Sequence, residues 1–147
     1  MKRFEIIDIS GDAGIRAFGR DLKELFANAA LGMFSLMTDL NGIRERQVVE
    51  VSVEGSTLEG TFVSWLNELI FQFDTYGFVG KKIVINRFLP EEERSFTRTY
   101  AVRASVSGEE FESGRHKGKL LIKAATYHRL TIEKTDAIWQ ADVIFDI

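Results

Sequence analysis

Apolar and polar positions alternate over residues 3 to 9 (RFEIIDI), and again where Val49, Val51 and Val53 interleave with Glu50, Ser52 and Glu54. A period of two sends successive side chains to opposite faces, which predicts strands with one wet face. Ser10-Gly11-Asp12-Ala13-Gly14 between the first strand and Ile15 to Phe18 reads as turn chemistry, so those four residues return as a second, short strand. The period then changes. Leu22, Leu25, Phe26, Ala29, Ala30, Met33, Phe34 and Met37 recur at helical spacing behind Asp21-Leu22-Lys23-Glu24, an N-cap acid with a glutamate three residues later. Thr38 to Gly42 ends that helix. Ser56 with Glu59 forms a second capping box, ahead of Leu58, Phe62, Trp65, Leu66, Leu69, Ile70 and Phe73. This stripe is wide enough to place the second helix at the centre of the core, as its packing hub.

Tyr76-Gly77 and Gly80 close the second helix, and strand patterns dominate the rest of the chain: residues 81–88, 99–106, 119–123, 127–134 and 138–145. Pro90, followed by Glu91-Glu92-Glu93, marks a turn or a hairpin protruding around residues 87–99, with the acidic triplet facing water. Two helices against six to eight strands clustered in the second half predict an α+β fold. The expected arrangement is a single domain over residues 1–147, with both main helices on one side of a largely antiparallel sheet.

Composition narrows the chemistry. The chain has no cysteine, which excludes disulfides, thiolate catalysis and zinc–thiolate sites, so any metal must be held by oxygen or imidazole. His116 and His128 are the only histidines, too few for a histidine-rich transition-metal site. The formal net charge is -3 and no run of five like charges occurs. Nucleic-acid binding rests on clustered Lys and Arg, so a protein partner or a small ligand is expected instead, with room only for a local basic patch. No apolar run has the length of a membrane span, and Glu5 and Asp8 follow Met1-Lys2-Arg3 where a signal peptide would be apolar. A cytoplasmic location is expected.

P-loop, dinucleotide-binding, zincin-helix and nucleophile-elbow motifs are all absent. Three polar segments remain. In Asp8-Ile9-Ser10-Gly11-Asp12-Ala13-Gly14-Ile15, glycines on both sides of Asp12 let the backbone approach a ligand, although an Asx-turn between strands explains the same residues. In Ile122-Lys123-Ala124-Ala125-Thr126-Tyr127-His128, a lysine in an apolar setting either snorkels from a strand end or sits beside acids. The third segment, Asp146-Ile147, comes directly after the apolar run Trp139 to Phe145. A side-chain carboxylate next to a chain-terminal one calls for a cation: Lys, Arg, or a hard metal ion shared with Asp8 or Asp12.

The same segments resemble the archease family. Its opening acidic motif is matched by Asp8-Ile9-Ser10-Gly11-Asp12-Ala13-Gly14, and its two helices by Gly19 to Phe26 and Trp65 to Phe71. Its closing motifs are matched by Gly108-Glu109, His116, Ile122 to His128 and Asp146-Ile147. The resemblance implies a divalent metal held by Asp12, Asp146 and the main-chain or terminal carboxylate oxygen of Ile147. It also implies Lys123 as a functional residue, with Asp8, His116 and His128 as secondary candidates. All-oxygen ligation suits Ca²⁺, Mg²⁺ or Mn²⁺. The sequence departs from the pattern at Ile9, where the family commonly has His, and at Ser10 and Gly11 in place of Thr and Ala.

The family's implied role is that of an activator rather than an enzyme. Its partner is the tRNA-splicing RNA ligase, whose guanylylation it speeds and whose repeated turnover it allows on ends bearing 2′,3′-cyclic phosphate or 3′-phosphate and 5′-hydroxyl groups. GTP and RNA would be met only through the ligase, and no membrane is involved. The residues leave two alternatives: a free-standing metal-dependent hydrolase or phosphotransfer enzyme, and a non-catalytic, chaperone-like binding module.

Overall fold

A computed structural model describes residues 1–91 and 99–147. The elements run β1 (Phe4–Ile9), β2 (Asp12–Gly19), α1 (Leu22–Met37), β3 (Gln47–Gly55), α2 (Leu58–Tyr76), β4 (Phe78–Leu89), β5 (Tyr100–Glu110), β6 (Ala124–Ala125), β7 (Thr131–Thr135) and β8 (Ile138–Asp146). The fold is α+β and every strand pairing among the described residues is antiparallel. The strands divide into two sheets where one was expected. The first has the order β1-β2-β8-β6, with β7 also paired to β8; the second has the order β3-β5-β4. Period-two patterning assigns each strand its faces but carries no information about which strands share a sheet.

The capping chemistry explains the helix boundaries. Asp21 Oδ1 accepts from Glu24 N at 2.8 Å, while the Glu24 carboxylate accepts from the main-chain N–H of Arg20 rather than closing the box on Asp21. The N-cap of the second helix lies one residue later than expected. Thr57, extended at φ -132° and ψ 157°, accepts from Gly60 N, so Thr57 and not Ser56 is the N-cap. Gly77, at φ 72°, ends α2 in the left-handed conformation, and its N–H bonds back to the carbonyls of Gln72 and Phe73.

Residues 119–123 form no strand. Lys119 N and Leu120 N donate to the carbonyls of Met37 and Leu36, groups that the end of α1 leaves without helical partners. An extended, apolar segment thus satisfies its backbone on a helix end. Residues 127–134 also divide: Tyr127 to Leu130 is a turn closed by Leu130 N to Tyr127 O, with Arg129 at φ 54°, and only Thr131–Thr135 is a strand. The expected hairpin around residues 87–99, with Glu92 and Glu93, falls largely outside the described residues. The flanking pair Leu89 and Ala101 stands in register.

One core joins both sheets and both helices. It takes Ile15, Ala17, Val143 and Phe145 from the first sheet and Val51, Val79, Val102, Ala104 and Val106 from the second. α1 packs against β2 and β4, bridging the sheets, and α2 packs against β3, β4, β5 and β6. Phe26 of α1 stands edge-on to Phe62 of α2 at 5.1 Å and to Phe88 of β4 at 4.9 Å. Trp65, fully buried, donates Nε1–H to the Phe26 carbonyl at 2.9 Å, so the hub expected of α2 is also polar-tied to α1. Among the described residues no helix is long and apolar enough to cross a membrane.

Trp65→Phe removes that tie and leaves a void at the helix–helix contact. A loss of about 2–3 kcal/mol is expected. Urea unfolding should show a lower midpoint with an unchanged slope.

Candidate functional site

The β1–β2 hairpin turns on two residues, Ser10 and Gly11, with Gly11 at φ 81°. A side chain there would strain the backbone, and the turn leaves Asp12 as the first residue of β2. β2 then pairs with β8 from Ala13 opposite Phe145 through Gly19 opposite Trp139. Carrying this register one residue outward sets Asp12 level with Asp146. Ala13 and Phe145 are buried in the core, so by alternation Asp12 and Asp146 share the outer face, where both are exposed. Directly opposed residues of an antiparallel pair hold their Cβ atoms about 5 Å apart.

β6 lies along the other edge of β8. Ala124 pairs with Asp146, and Lys123 N donates to the Asp146 carbonyl at 2.8 Å. β6 is only two residues long, and its second edge is closed by a side chain. Asn67 of α2 accepts from Ala125 N at 2.8 Å and donates to Ala125 O at 3.5 Å, standing in for a neighbouring strand. Asn67 therefore positions Lys123 from the helix side. Its place in the Trp65 to Phe71 segment was visible in the sequence, but nothing there marked it as a partner of residue 125.

Asp12 and Asp146 contrast with the equivalent pair four residues along. There Arg16 is opposite Asp142, binds both its carboxylate oxygens at 2.8 and 2.9 Å, and reaches Glu5 at 3.5 Å. Hydrogen bonds to Asp142 push the Arg16 pKa up. Among the described residues neither Asp12, Asp146 nor Lys123 is in an ion pair. Like charges directly opposed across strands repel, so the outer end of this sheet holds two carboxylates with no built-in counter-ion.

Ile9 pairs with Asp12 on the β1 side. Ile9 thus flanks the acidic pair with an apolar side chain that cannot ligate. Asp8 pairs with Ala13 and takes the opposite face, separated from Asp12 by parity. His128 is exposed in the turn after β6, where its main-chain N–H donates to Thr126 Oγ1 at 3.3 Å. The structure brings together Asp12, Asp146 and the Lys123 backbone, with Ile147 adjoining; it does not bring Asp8, His116 or His128 to them. No group of three or more His, Asp or Glu side chains among the described residues is gathered to hold a metal. Two carboxylates, an Ile147 oxygen and water suit a hard, hydrated cation such as Ca²⁺ or Mg²⁺.

His116 belongs to a different cluster, built around Glu109 at the end of β5. Both are buried. His116 Nδ1 accepts from Glu112 N at 2.9 Å, so Nε2 carries the proton and donates to Glu109 at 3.1 Å. Arg115 binds both Glu109 oxygens at 2.5 and 3.2 Å, and Arg44 N adds a bond at 2.6 Å. These contacts, Arg115 first, hold the Glu109 carboxyl down to about 2 from its ordinary 4.5. The cluster anchors the loop that leads from β5 toward Lys123. Because the folded value lies below the unfolded one, its stabilisation is full above about pH 4.5 and is lost as pH falls through about 2. Acid unfolding followed by circular dichroism should show the loss in that window, and Glu109→Gln should be less stable at neutral pH and flatter across it.

The sequence profile of the archease protein family matches residues 4–147. The chain is 36% identical over 146 residues to the archease of Methanosarcina acetivorans, covering 99% of this chain and 97% of that one. It is 31% identical over 147 residues to the archease of Sulfurisphaera tokodaii, covering all of both. The solution structure of protein 1598 of Methanobacterium thermoautotrophicum superposes over the full length of both chains with a TM-score of 0.81 at 31% identity. The crystal structure of a Thermotoga maritima archease, described as a possible chaperone, shares the fold with a TM-score of 0.59 at 20% identity over 96% of this chain and 94% of that one. A profile match over nearly every residue, full-length relatives above 30% identity and the agreement in fold lead to one conclusion: the chain belongs to the archease family.

Proposed function

We propose that this protein is a metal-binding activator of the tRNA-splicing RNA ligase, working in the cytoplasm and making no phosphodiester bond itself. The observation that supports this reading is the Asp12 and Asp146 pair, opposed on the outer face, in no ion pair among the described residues, with the Lys123 backbone bonded to Asp146. A divalent cation there would neutralise phosphoryl oxygens presented by the partner. Asp12 and Asp146 bind and orient that charge, and the Ile147 carbonyl or carboxylate oxygen adjoins them. Lys123 is exposed and its backbone is tied to Asp146, so its long side chain would offset negative charge on a phosphate presented at that end of the sheet.

The surroundings fit an accessory role. The nearest ring nitrogen along the chain, on His128, lies in an exposed turn, and Ile9 supplies no base on the other side. A site with two carboxylates and no positioned general base is poor equipment for hydrolysis, which weighs against the free-standing enzyme. A chaperone-like module is favoured by exposed apolar side chains in the segments that carry Lys123 and Asp146: Tyr127 at 63%, Leu121 at 63% and Ile147 at 43% exposure. The two readings differ in whether metal and activation are coupled.

In a multiple-turnover ligation assay with a cognate ligase, the unmodified protein should raise product formation beyond one turnover. Asp12→Asn and Asp146→Asn should each abolish the stimulation and the rise in melting temperature produced by Ca²⁺ or Mg²⁺. That rise corresponds to about 2.7 kcal/mol at one hundred times the dissociation constant. Full stimulation by either variant would refute the metal's role in activation. A metal-dependent melting temperature with metal-independent stimulation would favour the chaperone-like module. Lys123→Ala should reduce stimulation while retaining the metal-induced thermal shift, since its side chain is not a ligand.

A further inference from the structure

A second site lies at the opposite end of the first sheet. A cleft of about 500 Å³ opens between the start of β1, the β2–α1 junction and β4, and four basic side chains line it: Arg3, Arg20, Lys81 and Lys82. Glu24 is the single acid in the lining, and it is already bonded to Arg20. In a chain of net charge -3, this gathering of cations departs from the average surface. The β2 strand separates the cleft from Asp12, a span of about 23 Å at strand rise.

The backbone is shaped to produce it. Consecutive residues of a regular strand face opposite sides, so Lys81 and Lys82 would not line one cleft. A β-bulge alters that: Gly80 is opposite Gly108 and Lys82 opposite Ser107, leaving Lys81 as the extra residue. Gly80 permits the close packing there, since a side chain would meet Val106 at 2.5 Å and Phe34 at 2.9 Å. The bulge thus delivers two adjacent lysines to one wall. Lys81 Nζ spends one donor on the Ile43 carbonyl at 2.9 Å and keeps two. Arg3 and Lys82 are exposed and, among the described residues, in no ion pair. The facing wall is one side of α1, where the buried Asn28 donates to the Phe18 carbonyl.

We infer that this cleft binds a chain of consecutive phosphates. A single phosphate engages one or two cations, whereas the cleft offers three that no acid in its described lining engages, Arg3, Lys81 and Lys82, beside the Glu24-paired Arg20; the described lining has no aromatic ring to read a base. Recognition therefore falls on the phosphate chain itself. The two sources of that chemistry are the backbone of a single-stranded RNA and the polyphosphate of a nucleotide.

Fluorescence anisotropy of a 5′-labelled oligouridylate of about ten nucleotides, at roughly 50 mM salt, measures binding, with sodium tripolyphosphate as competitor. The double variant Arg3→Ala, Lys82→Ala should bind about tenfold more weakly, with a salt dependence shallower by about 0.7 per cation removed. Binding of both probes, or of the oligouridylate alone, supports the cleft and assigns it to RNA backbone. Binding of tripolyphosphate alone, measured by calorimetry, supports it and assigns it to a nucleotide. Asp146→Asn should bind as the parent does, which separates this site from the acidic pair whatever the ligation assay shows. Absence of binding by both probes, unchanged binding by a double variant with native circular dichroism, or loss of binding in Asp146→Asn overturns the inference.

Discussion

β8 is hydrogen-bonded along both edges, to β2 on one side and to β6 and β7 on the other, and the placement of the acidic site depends on that double pairing. Its inner face, with Ala141, Val143 and Phe145, is locked in the core. A slip of one residue would turn those side chains out and turn Asp142 and Asp146 in, so burial specifies the register strongly. Once the register holds, the outer face is set without further choice. Asp142 meets Arg16, and Asp146 meets Asp12.

Those two cross-strand pairs differ in what opposes the acid. At Asp142 the opposing guanidinium satisfies the acid, and the pair extends across three strands to Glu5. At Asp146 the opposing residue is another acid, with no cation from any described side chain. Sheets ordinarily avoid such pairs because the repulsion destabilises them. Its placement at the exposed end, where water screens it and a ligand can reach it, keeps that repulsion small until something bridges the two carboxylates. Asn67 shows how far the fold goes to complete the edge, since an amide on α2 replaces the missing strand beside Ala125.

The Glu109 cluster and the basic cleft use the second sheet differently. Glu109 is a buried charge satisfied on every side, and such a group ties a loop in place because leaving any one partner unpaired is costly. Close by on the same strand pairing, the bulge at Lys81 trades ladder regularity for the direction of two ammonium groups. The acidic pair and the basic cleft are thus held at opposite ends of β2 by one core.

Local sequence was enough to specify the two helices, most strand positions and the candidate acids. These depend on period, capping residues and glycine turns, which act within a few residues of one another. Thr57 as the cap and residues 119–123 as a helix-end partner are not specified locally, because the neighbouring Ser56 offers the same hydroxyl and an extended segment can pair with a helix carbonyl as well as with a strand. Tertiary packing was needed to set Asp12 across from Asp146 while Asp8 faces away, to lock His116 to Glu109 and to bring Asn67 against the Lys123 segment. Each of these joins residues distant along the chain or turns on strand parity, and both are settled by the register that core packing selects.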